Sequence, residues 1–165
     1  MPNPLELVKD LNQLYNSRIL SNQGIYCQEL ESDIAKMAGR KYCALFSNGT
    51  MAIMCLFQAM EFKGEVLLPS FTFAATSQAL LWLRLKIKFI DIDRNTLMMD
   101  PTKTVEAISK NTAALFPVNL FGRCCDLEAF SKISNQYNIP LFFDSAQAFG
   151  SKYNSARTFS GKDLG

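Results

Sequence analysis

The order of apolar segments along the chain is the sequence feature that most constrains its fold. From about residue 42, short apolar runs that end on polar or small residues alternate with segments whose apolar residues recur at helical spacing. This alternation is typical of a parallel sheet whose strands are joined by crossover helices. It predicts an α/β fold with three α/β/α layers and a mostly parallel sheet. The five predicted strands are residues 42–46, 65–69, 86–91, 112–118 and 140–144.

Helical periodicity predicts two helices before the sheet and four within it. The first two are residues 5–15 and 25–37, so we expect a helical part at residues 1–40 and an α/β part at residues 41–165. A chain of 165 residues is long enough for one hydrophobic core but short for two domains. The later helices are predicted at residues 50–62, 74–83, 101–109 and 126–137.

Composition indicates a globular protein and excludes several classes of function. Hydrophobic residues make up 48% of the chain and charged residues 19%, which is not the composition of a disordered protein. The net charge of +2 is too small to indicate binding to nucleic acid or to a membrane surface. No apolar run reaches the ~18 residues of a membrane span, and residues 1–6 lack the features of a signal peptide. We therefore expect a cytoplasmic location.

Cysteine and histidine usage restricts the available chemistry. The chain has no histidine, which excludes Ser-His and Cys-His nucleophiles and most catalytic zinc sites. Its five cysteines are odd in number and include no C-x-x-C pair, so we expect reduced thiols and no metal site. Catalysis would then need another source of reactivity, and a cofactor is the obvious candidate.

The segment at residues 140–150 carries the clearest functional signal. Residues 140–143 are apolar without alternation, as in a strand buried on both faces, and Asp144 follows them, before a series of small residues. Open α/β sheets bind their ligands at the carboxyl ends of their strands, which is where Asp144 is predicted to lie. The alternative is that Asp144 only caps the following turn or helix.

Other candidate groups fall at the same predicted edge, because parallel strands end on one side of the sheet. Gly49 and Thr50 lie between the first predicted strand and a helix whose N-terminus suits a phosphate, although the segment also fits a simple turn and N-cap. Phe71 and Phe73 follow the second strand, where an aromatic ring could stack on a flat ligand. Their alternative is burial in the core, which is the commoner place for phenylalanine.

Two amides complete the set of candidates. Asn119 follows the fourth predicted strand, and Gln147 comes shortly after Asp144. Asn119 has a simple alternative, since its side chain would also satisfy neighbouring backbone. One shared ligand explains groups at one edge better than several coincidences do. A phosphate site, a stacking aromatic and a carboxylate favour a flat, phosphorylated, cationic heteroaromatic, and pyridoxal phosphate fits all three.

The same residues belong to motifs that follow one another in a fixed order. These motifs are Gly24-Ile25-Tyr26, Ser47-Asn48-Gly49-Thr50, Pro69-Ser70-Phe71-Thr72-Phe73, Phe89-Ile90-Asp91, Asn119-Leu120-Phe121-Gly122 and Asp144-Ser145-Ala146-Gln147. In order and spacing they resemble the sugar aminotransferases of the DegT/DnrJ/EryC1/StrS family. The resemblance covers nearly the whole chain. It implies the N-terminal part of the large domain of a fold-type I pyridoxal-phosphate enzyme, without the small C-terminal domain.

The resemblance also implies a role for each matching residue. Gly49 and Thr50 would bind the cofactor phosphate, and Phe73 would cover one face of the pyridine ring. Asp144 would bind the pyridine nitrogen, where a carboxylate favours the protonated ring that acts as an electron sink. Gln147 would lie near the phenolic oxygen of the ring. For Asn119 the resemblance implies only a place in the pocket.

What the family does is implied in the same way. Its members transfer an amino group from an amino acid, with glutamate the expected donor, to a nucleotide-linked keto-sugar for surface polysaccharides or antibiotics. They are homodimers with the active site at the subunit interface. These substrates and a second copy of the chain are the expected partners, and neither nucleic acid nor a membrane is expected.

One departure from the family concerns the lysine that forms the Schiff base with the cofactor. In the family it follows a segment whose start resembles residues 161–165, so Lys152 and Lys162 both come too early in the chain. The 165 residues are therefore expected to be inactive alone. The alternatives are a non-catalytic protein that binds the cofactor or a partner, and an inactive gene product. A Rossmann-type dinucleotide domain is excluded because no G-x-G-x-x-G follows any strand.

Overall fold

The computed structural model describes residues 3–153 and 156–157, and it divides the chain into two compact units, Met1–Leu45 and Phe46–Gly165. The first unit contains helices α1 (Pro4–Ser17) and α2 (Ile25–Ala38). The helix α2 ends at Gly39, which adopts a left-handed φ of 65°, so the helix extends one residue beyond the predicted range of 25–37. No helix in the described part of the chain combines the length and hydropathy that a bilayer crossing requires.

The second unit contains a parallel sheet with helices between its strands. In chain order its elements are α3 (Gly49–Ala59), β1 (Glu65–Pro69), α4 (Ala74–Trp82), β2 (Lys86–Ile90), α5 (Pro101–Ala107), β3 (Thr112–Leu115), α6 (Leu127–Tyr137), β4 (Lys152–Tyr153) and β5 (Ala156–Arg157). The three strands of the parallel sheet have the order β2-β1-β3, and both pairings are parallel. A short antiparallel pair, β4 and β5, follows the sheet in the sequence.

The core of the second unit lies on both faces of the sheet. Successive side chains of a strand point to opposite faces. Val66 and Leu68 of β1 therefore share one buried cluster with Phe57 of α3, whereas Leu67 shares another with Phe130 of α6. Because each face is covered by helices, the predicted three-layer α/β/α architecture is confirmed.

The sheet has fewer regular strands than the sequence predicts. The prediction of a strand at residues 42–46 is wrong, because the Leu45 N–H donates to the Glu31 carboxylate at 2.9 Å and the segment forms no ladder. The predicted strand at residues 140–144 runs parallel to the β3 segment, but only through isolated bridges at Leu141 and Asp144. The prolines at positions 117 and 140 remove backbone donors there, which interrupts a continuous ladder.

Gly64 occupies the position immediately before β1. Its φ of +142° is unfavourable for residues with a side chain, and an added Cβ would lie 2.3 Å from the Asn111 carbonyl oxygen. That oxygen accepts the hydrogen bond from the Glu65 N–H at 2.8 Å, so the strand pairing itself brings the two backbones together. The register between β1 and β3 shifts at the next step, between Glu65 and Val66. Only glycine fits this start of the strand pairing.

Candidate cofactor site

A cavity of about 510 Å³ opens at the carboxyl edge of the sheet, within the second unit. Its volume falls in the range of small-molecule sites, roughly 300–1,000 Å³. Residues that are far apart in the sequence line it. Five of the six residues predicted for the site are among them: Gly49, Thr50, Phe73, Asp144 and Gln147.

The N-termini of two helices, α3 and α4, face this cavity. The side chain of Asn48 caps α3 by accepting from the Met51 N–H at 2.9 Å. Within the described residues, the N–H groups of Gly49 and Thr50 donate to no acceptor. The first turns of α3 and α4 contain no acidic residue. Unpaired donors at the positive ends of two helix dipoles make this part of the cavity suited to an anion such as phosphate.

Asp144 lies in the cavity wall and is fixed at both its backbone and its carboxylate. Its N–H donates to the Pro117 carbonyl at 3.1 Å, and its carbonyl accepts from the Asn119 N–H at 2.8 Å. Its Oδ2 accepts from the Thr76 hydroxyl at 2.7 Å, and its Oδ1 accepts from the Ala146 N–H at 3.1 Å. Asp144 is the only ionisable side chain among the described residues that line the cavity. Since each carboxylate oxygen can accept two hydrogen bonds, both still have capacity for a ligand.

Gln147 lines the cavity and is hydrogen-bonded to the backbone of a neighbouring loop. Its Oε1 accepts from the Phe121 N–H at 3.4 Å, and its backbone carbonyl accepts from the Gly122 N–H at 2.9 Å. Because the side-chain oxygen bonds to the backbone, the amide nitrogen is the atom left for a ligand. Phe121 itself has a left-handed φ of 54°, which a bulky residue rarely adopts. The loop around Phe121 is thus held in an unfavourable conformation beside the cavity.

The two candidate aromatics take different places. Phe73 is 72% exposed, precedes α4 as its N-cap and lines the cavity. Phe71 does not line it and instead packs against Phe121, with ring centroids 6.3 Å apart. Neither ring is buried in the core. Of the two, Phe73 is therefore the one placed to cover a flat ligand.

Asn119 lies behind the cavity and does not line it. The residue is only 1% exposed, its amide nitrogen donates to the Ser145 hydroxyl at 2.8 Å, and its Oδ1 accepts from the Cys125 N–H at 2.8 Å. These bonds connect the segment after β3 to the turn that follows Asp144. Burial raises the pKa of the neighbouring Cys125 thiol, which disfavours its reactive thiolate form.

Sequence reasoning did not identify Thr72 and Thr76 as site residues. Both line the cavity, and Thr76 is 1% exposed with its hydroxyl bonded to Asp144. The two threonines flank the start of the predicted helix, with Thr72 before it and Thr76 in its first turn. No local pattern shows which distant group their hydroxyls meet.

No described lysine lines the cavity, and the described residues contain no cluster of metal-binding side chains. Lys152 is exposed and does not line the cavity, and Lys162 lies outside the described residues. Among the residues that the structure describes, no three acidic or sulfur-containing side chains are close enough together to hold a metal ion. All five cysteines are free thiols.

The groups around the cavity fit pyridoxal phosphate. The unpaired N–H groups at the start of α3 suit its phosphate, and an added Cβ on Gly49 would meet nothing within 4 Å, so a ligand can approach the backbone there. The Asp144 carboxylate suits a protonated ring nitrogen, and the Gln147 amide suits the phenolic oxygen. No lysine or arginine is among the described lining residues, so backbone and hydroxyl donors are the phosphate ligands that this stretch offers.

Comparison with known proteins identifies similar sequences and structures. The chain is 31% identical over 159 residues to the dTDP-4-amino-4,6-dideoxy-D-glucose transaminase of Escherichia coli, a match that covers 96% of this chain and 43% of the relative. A crystal structure of DesI in the presence of its TDP-sugar product matches with a TM-score of 0.91 and 33% identity, over all of this chain and 41% of that one. The E. coli GDP-4-keto-6-deoxy-D-mannose-3-dehydratase with bound hydrated pyridoxal phosphate matches with a TM-score of 0.81 and 27% identity, over 90% of this chain and 40% of that one.

These matches confirm the predicted fold class, and structures with bound pyridoxal phosphate are among them. The chain spans about two fifths of the length of the proteins it matches. The model of the DegT/DnrJ/EryC1/StrS aminotransferase family matches residues 5–165. The chain therefore belongs to the DegT/DnrJ/EryC1/StrS aminotransferase family.

Proposed function

We propose that this chain supplies the cofactor-binding part of a pyridoxal-phosphate-dependent aminotransferase that acts on a nucleotide-linked keto-sugar. The main observation that supports this proposal is that one cavity combines the fixed carboxylate of Asp144 with the N-termini of α3 and α4, whose first turns contain no acidic residue. The names of the matching transaminase and of the DesI structure support a nucleotide-sugar substrate. An amino acid, with glutamate expected, is the amino donor, and the product serves the synthesis of polysaccharide or antibiotic sugars.

Each lining residue has a role in this proposal. The bound cofactor supplies an electron sink for the carbon that carries the amino group. Gly49 and Thr50 bind its phosphate through backbone N–H groups and a hydroxyl. Phe73 covers one face of the ring and excludes water from it. Asp144 accepts a hydrogen bond from the ring nitrogen and so holds a proton on that atom, and Gln147 donates to the phenolic oxygen.

We also propose that these 165 residues do not complete the active site. Neither Lys152 nor Lys162 is the lysine that binds the cofactor covalently, which is supported by the position of Lys152 outside the cavity wall. The 165-residue stretch alone is then expected to bind cofactor without transferring amino groups. By family resemblance, the complete enzyme is a cytoplasmic homodimer.

A second candidate function is removal of a sugar hydroxyl group with the same cofactor. The observation that favours it is the structural match to a GDP-keto-sugar 3-dehydratase with bound pyridoxal phosphate. The two reactions share the cavity and differ in their product. Formation of 2-oxoglutarate from glutamate in proportion to aminated sugar supports the aminotransferase, and a deoxygenated sugar without net amination supports the dehydratase.

Titration with pyridoxal phosphate tests the proposed site. We expect saturable binding to the protein encoded by its complete gene, and binding about a hundredfold weaker after Asp144→Ala, because a charge-assisted hydrogen bond is lost. Asp33→Ala is the matched control, since Asp33 is an exposed carboxylate of α2, in the first unit, that accepts a hydrogen bond from the Lys36 ammonium at 3.3 Å. Equal affinity in the Asp144→Ala variant and the wild type would contradict the assignment of the site.

A further inference from the structure

Two threonine hydroxyls form a chain of hydrogen bonds that ends on Asp144. The Thr76 hydroxyl lies 2.7 Å from Asp144 Oδ2, and the Thr72 hydroxyl lies 2.9 Å from the Thr76 hydroxyl. Thr76 is 1% exposed, so water does not compete for its hydroxyl. Thr72 lies just before α4, and Thr76 lies in its first turn. Thr76 and Asp144 are 68 residues apart in the sequence.

The direction of the hydrogen bonds in this chain follows from the number of hydrogens. An ionised carboxylate only accepts, so Thr76 donates its single hydroxyl hydrogen to Asp144. Thr76 then has none left for Thr72, which must be the donor in the second bond. The order of donation is therefore Thr72 to Thr76 to Asp144. The distance of 2.7 Å is that of a hydrogen bond between a hydroxyl and a charged oxygen.

We propose that Thr76, supported by Thr72, is a positioning residue that holds Asp144 as a hydrogen-bond acceptor for the ring nitrogen of the cofactor. This inference rests on the proposed function. The Ala146 N–H holds the other carboxylate oxygen at 3.1 Å, so the two donors together fix the plane of the carboxylate. Each carboxylate oxygen of Asp144 already accepts one hydrogen bond, and its remaining lone pairs can only accept another from a ligand in the cavity. A ring nitrogen that meets only acceptors keeps its proton.

Another buried threonine of the same chain shows that this arrangement is not simply the usual behaviour of threonine in a helix. Thr104 of α5 is fully buried, and its hydroxyl donates to the Asp100 carbonyl one turn earlier at 2.7 Å. This is the common local bond of a helical threonine. Thr76 instead directs its hydrogen out of its helix to a carboxylate of a distant segment. Thr104 is therefore a matched control for the same isosteric change.

The experiment compares Thr76→Val, Thr76→Ser, Thr72→Val and Thr104→Val in the protein encoded by its complete gene. The readouts are the dissociation constant for pyridoxal phosphate and the ¹⁵N chemical shift of ring-labelled pyridoxal phosphate bound to each variant. We expect Thr76→Val to weaken binding roughly tenfold and to shift the ring nitrogen toward its deprotonated value. Thr76→Ser keeps the hydroxyl and is expected to restore the wild-type shift. Thr72→Val is expected to shift in the same direction as Thr76→Val by a smaller amount, and Thr104→Val to leave the shift unchanged.

The outcomes separate this inference from the proposed function. A wild-type shift in Thr76→Val, in protein that binds cofactor, would overturn the positioning role while leaving the cofactor site intact. If Thr76→Val does not fold, the comparison of Thr72→Val with Thr104→Val decides, and equal shifts in those two variants would also overturn the role. Absence of saturable binding to the wild type would overturn the proposed function and this inference together.

Discussion

The two compact units of the chain use different interactions to hold their helices. In the first unit, none of the residues of α1 is buried, and Leu5 is 79% exposed. The Tyr26 hydroxyl of α2 lies within hydrogen-bond distance of the side chains of Asp10 and Gln13 on α1, at 3.2 and 3.1 Å. In the second unit, the helices instead cover apolar clusters on both faces of a sheet. The same helical periodicity in the sequence thus corresponds to polar contacts in one unit and to a core in the other.

This difference explains where the candidate site lies. A ligand site needs groups held in fixed positions by packed neighbours. The carboxylate of Asp144 and the starts of α3 and α4 have such support, because they extend from the core of the second unit. None of the residues that line the described cavity belongs to the first unit. Matched substitutions in the two units test how far this contrast holds.

The largest contrast is expected from shortening one apolar side chain in each unit. Phe130 is fully buried under the sheet, whereas Leu11 of α1 is 45% exposed. Phe130→Ala should lower the free energy of unfolding by about 3–5 kcal/mol, because it leaves a cavity in a packed cluster. Leu11→Ala should lower it by under ~1 kcal/mol. Urea denaturation followed by circular dichroism measures both. Equal losses would show that α1 is buried in solution and would remove the contrast.

A smaller contrast is expected between two helix caps of the same residue type. The Asn48 side chain accepts from the Met51 N–H at 2.9 Å, and the Asn3 side chain accepts from the Leu5 N–H at 3.0 Å. Replacing either asparagine by alanine should weaken its helix by about 1 kcal/mol. We expect the loss in Asn48→Ala to appear in global unfolding, since α3 covers the core, and the loss in Asn3→Ala to appear only as faster amide exchange in the first turn of α1. Global destabilisation by Asn3→Ala would mean that the first unit unfolds together with the second.

The smallest effect is expected at an exposed ion pair and depends on pH. The Lys103 ammonium, 2.6 Å from the Asp91 carboxylate, holds the pKa of that carboxyl below its ordinary value of 3.8. A pKa that is lower in the folded state makes a contribution to stability that is present above pH 3.8 and is lost as the pH falls through the folded-state pKa. Lys103→Met should therefore reduce stability slightly at pH 6, with a difference from wild type that shrinks below about pH 4. Parallel urea titrations at several pH values measure this difference.

The matched pair in the first unit is Lys36 and Asp33, which lie 3.3 Å apart with both side chains more than 70% exposed. We expect Lys36→Met to change stability less than Lys103→Met, because its ionic contact is longer and more fully solvated. A larger loss from Lys36→Met would show that polar contacts stabilise the first unit more than its exposed helices indicate.

Much of the fold follows from local sequence signals. The predicted helices at residues 101–109 and 126–137 begin within one residue of the observed α5 and α6, which the side chains of Asp100 and Asp126 cap. The apolar pattern of residues 42–46 is that of a strand, and the prediction of a strand there is wrong. Strand formation also requires a ladder partner, and the Glu31 side chain accepts from the Leu45 N–H instead.

Only part of the candidate site could be predicted, because local sequence patterns do not specify contacts between distant residues. Gly49 and Asp144 could be located because parallel strands end at one edge, which is a rule of topology. The contact between Thr76 and Asp144 joins residues 68 positions apart, and no local pattern specifies it. The same rule predicts that Asn119 lies near this edge, but its bonds to Ser145 and Cys125 depend on the path of a turn that sequence does not reveal.

Gly64 gives the amino end of the sheet an influence over the cavity at the other end. The strand β1 rises about 3.3 Å per residue, so Gly64 lies roughly 20 Å from Ser70, which follows the strand. A side chain at position 64 would push against the Asn111 carbonyl and displace β3 along β1. Because Asp144 is bonded to the continuation of β3 and Thr76 follows β1, such a slip would separate the donor from the carboxylate. The absence of one methyl group at position 64 thus maintains a 2.7 Å contact at the opposite end of the same strands.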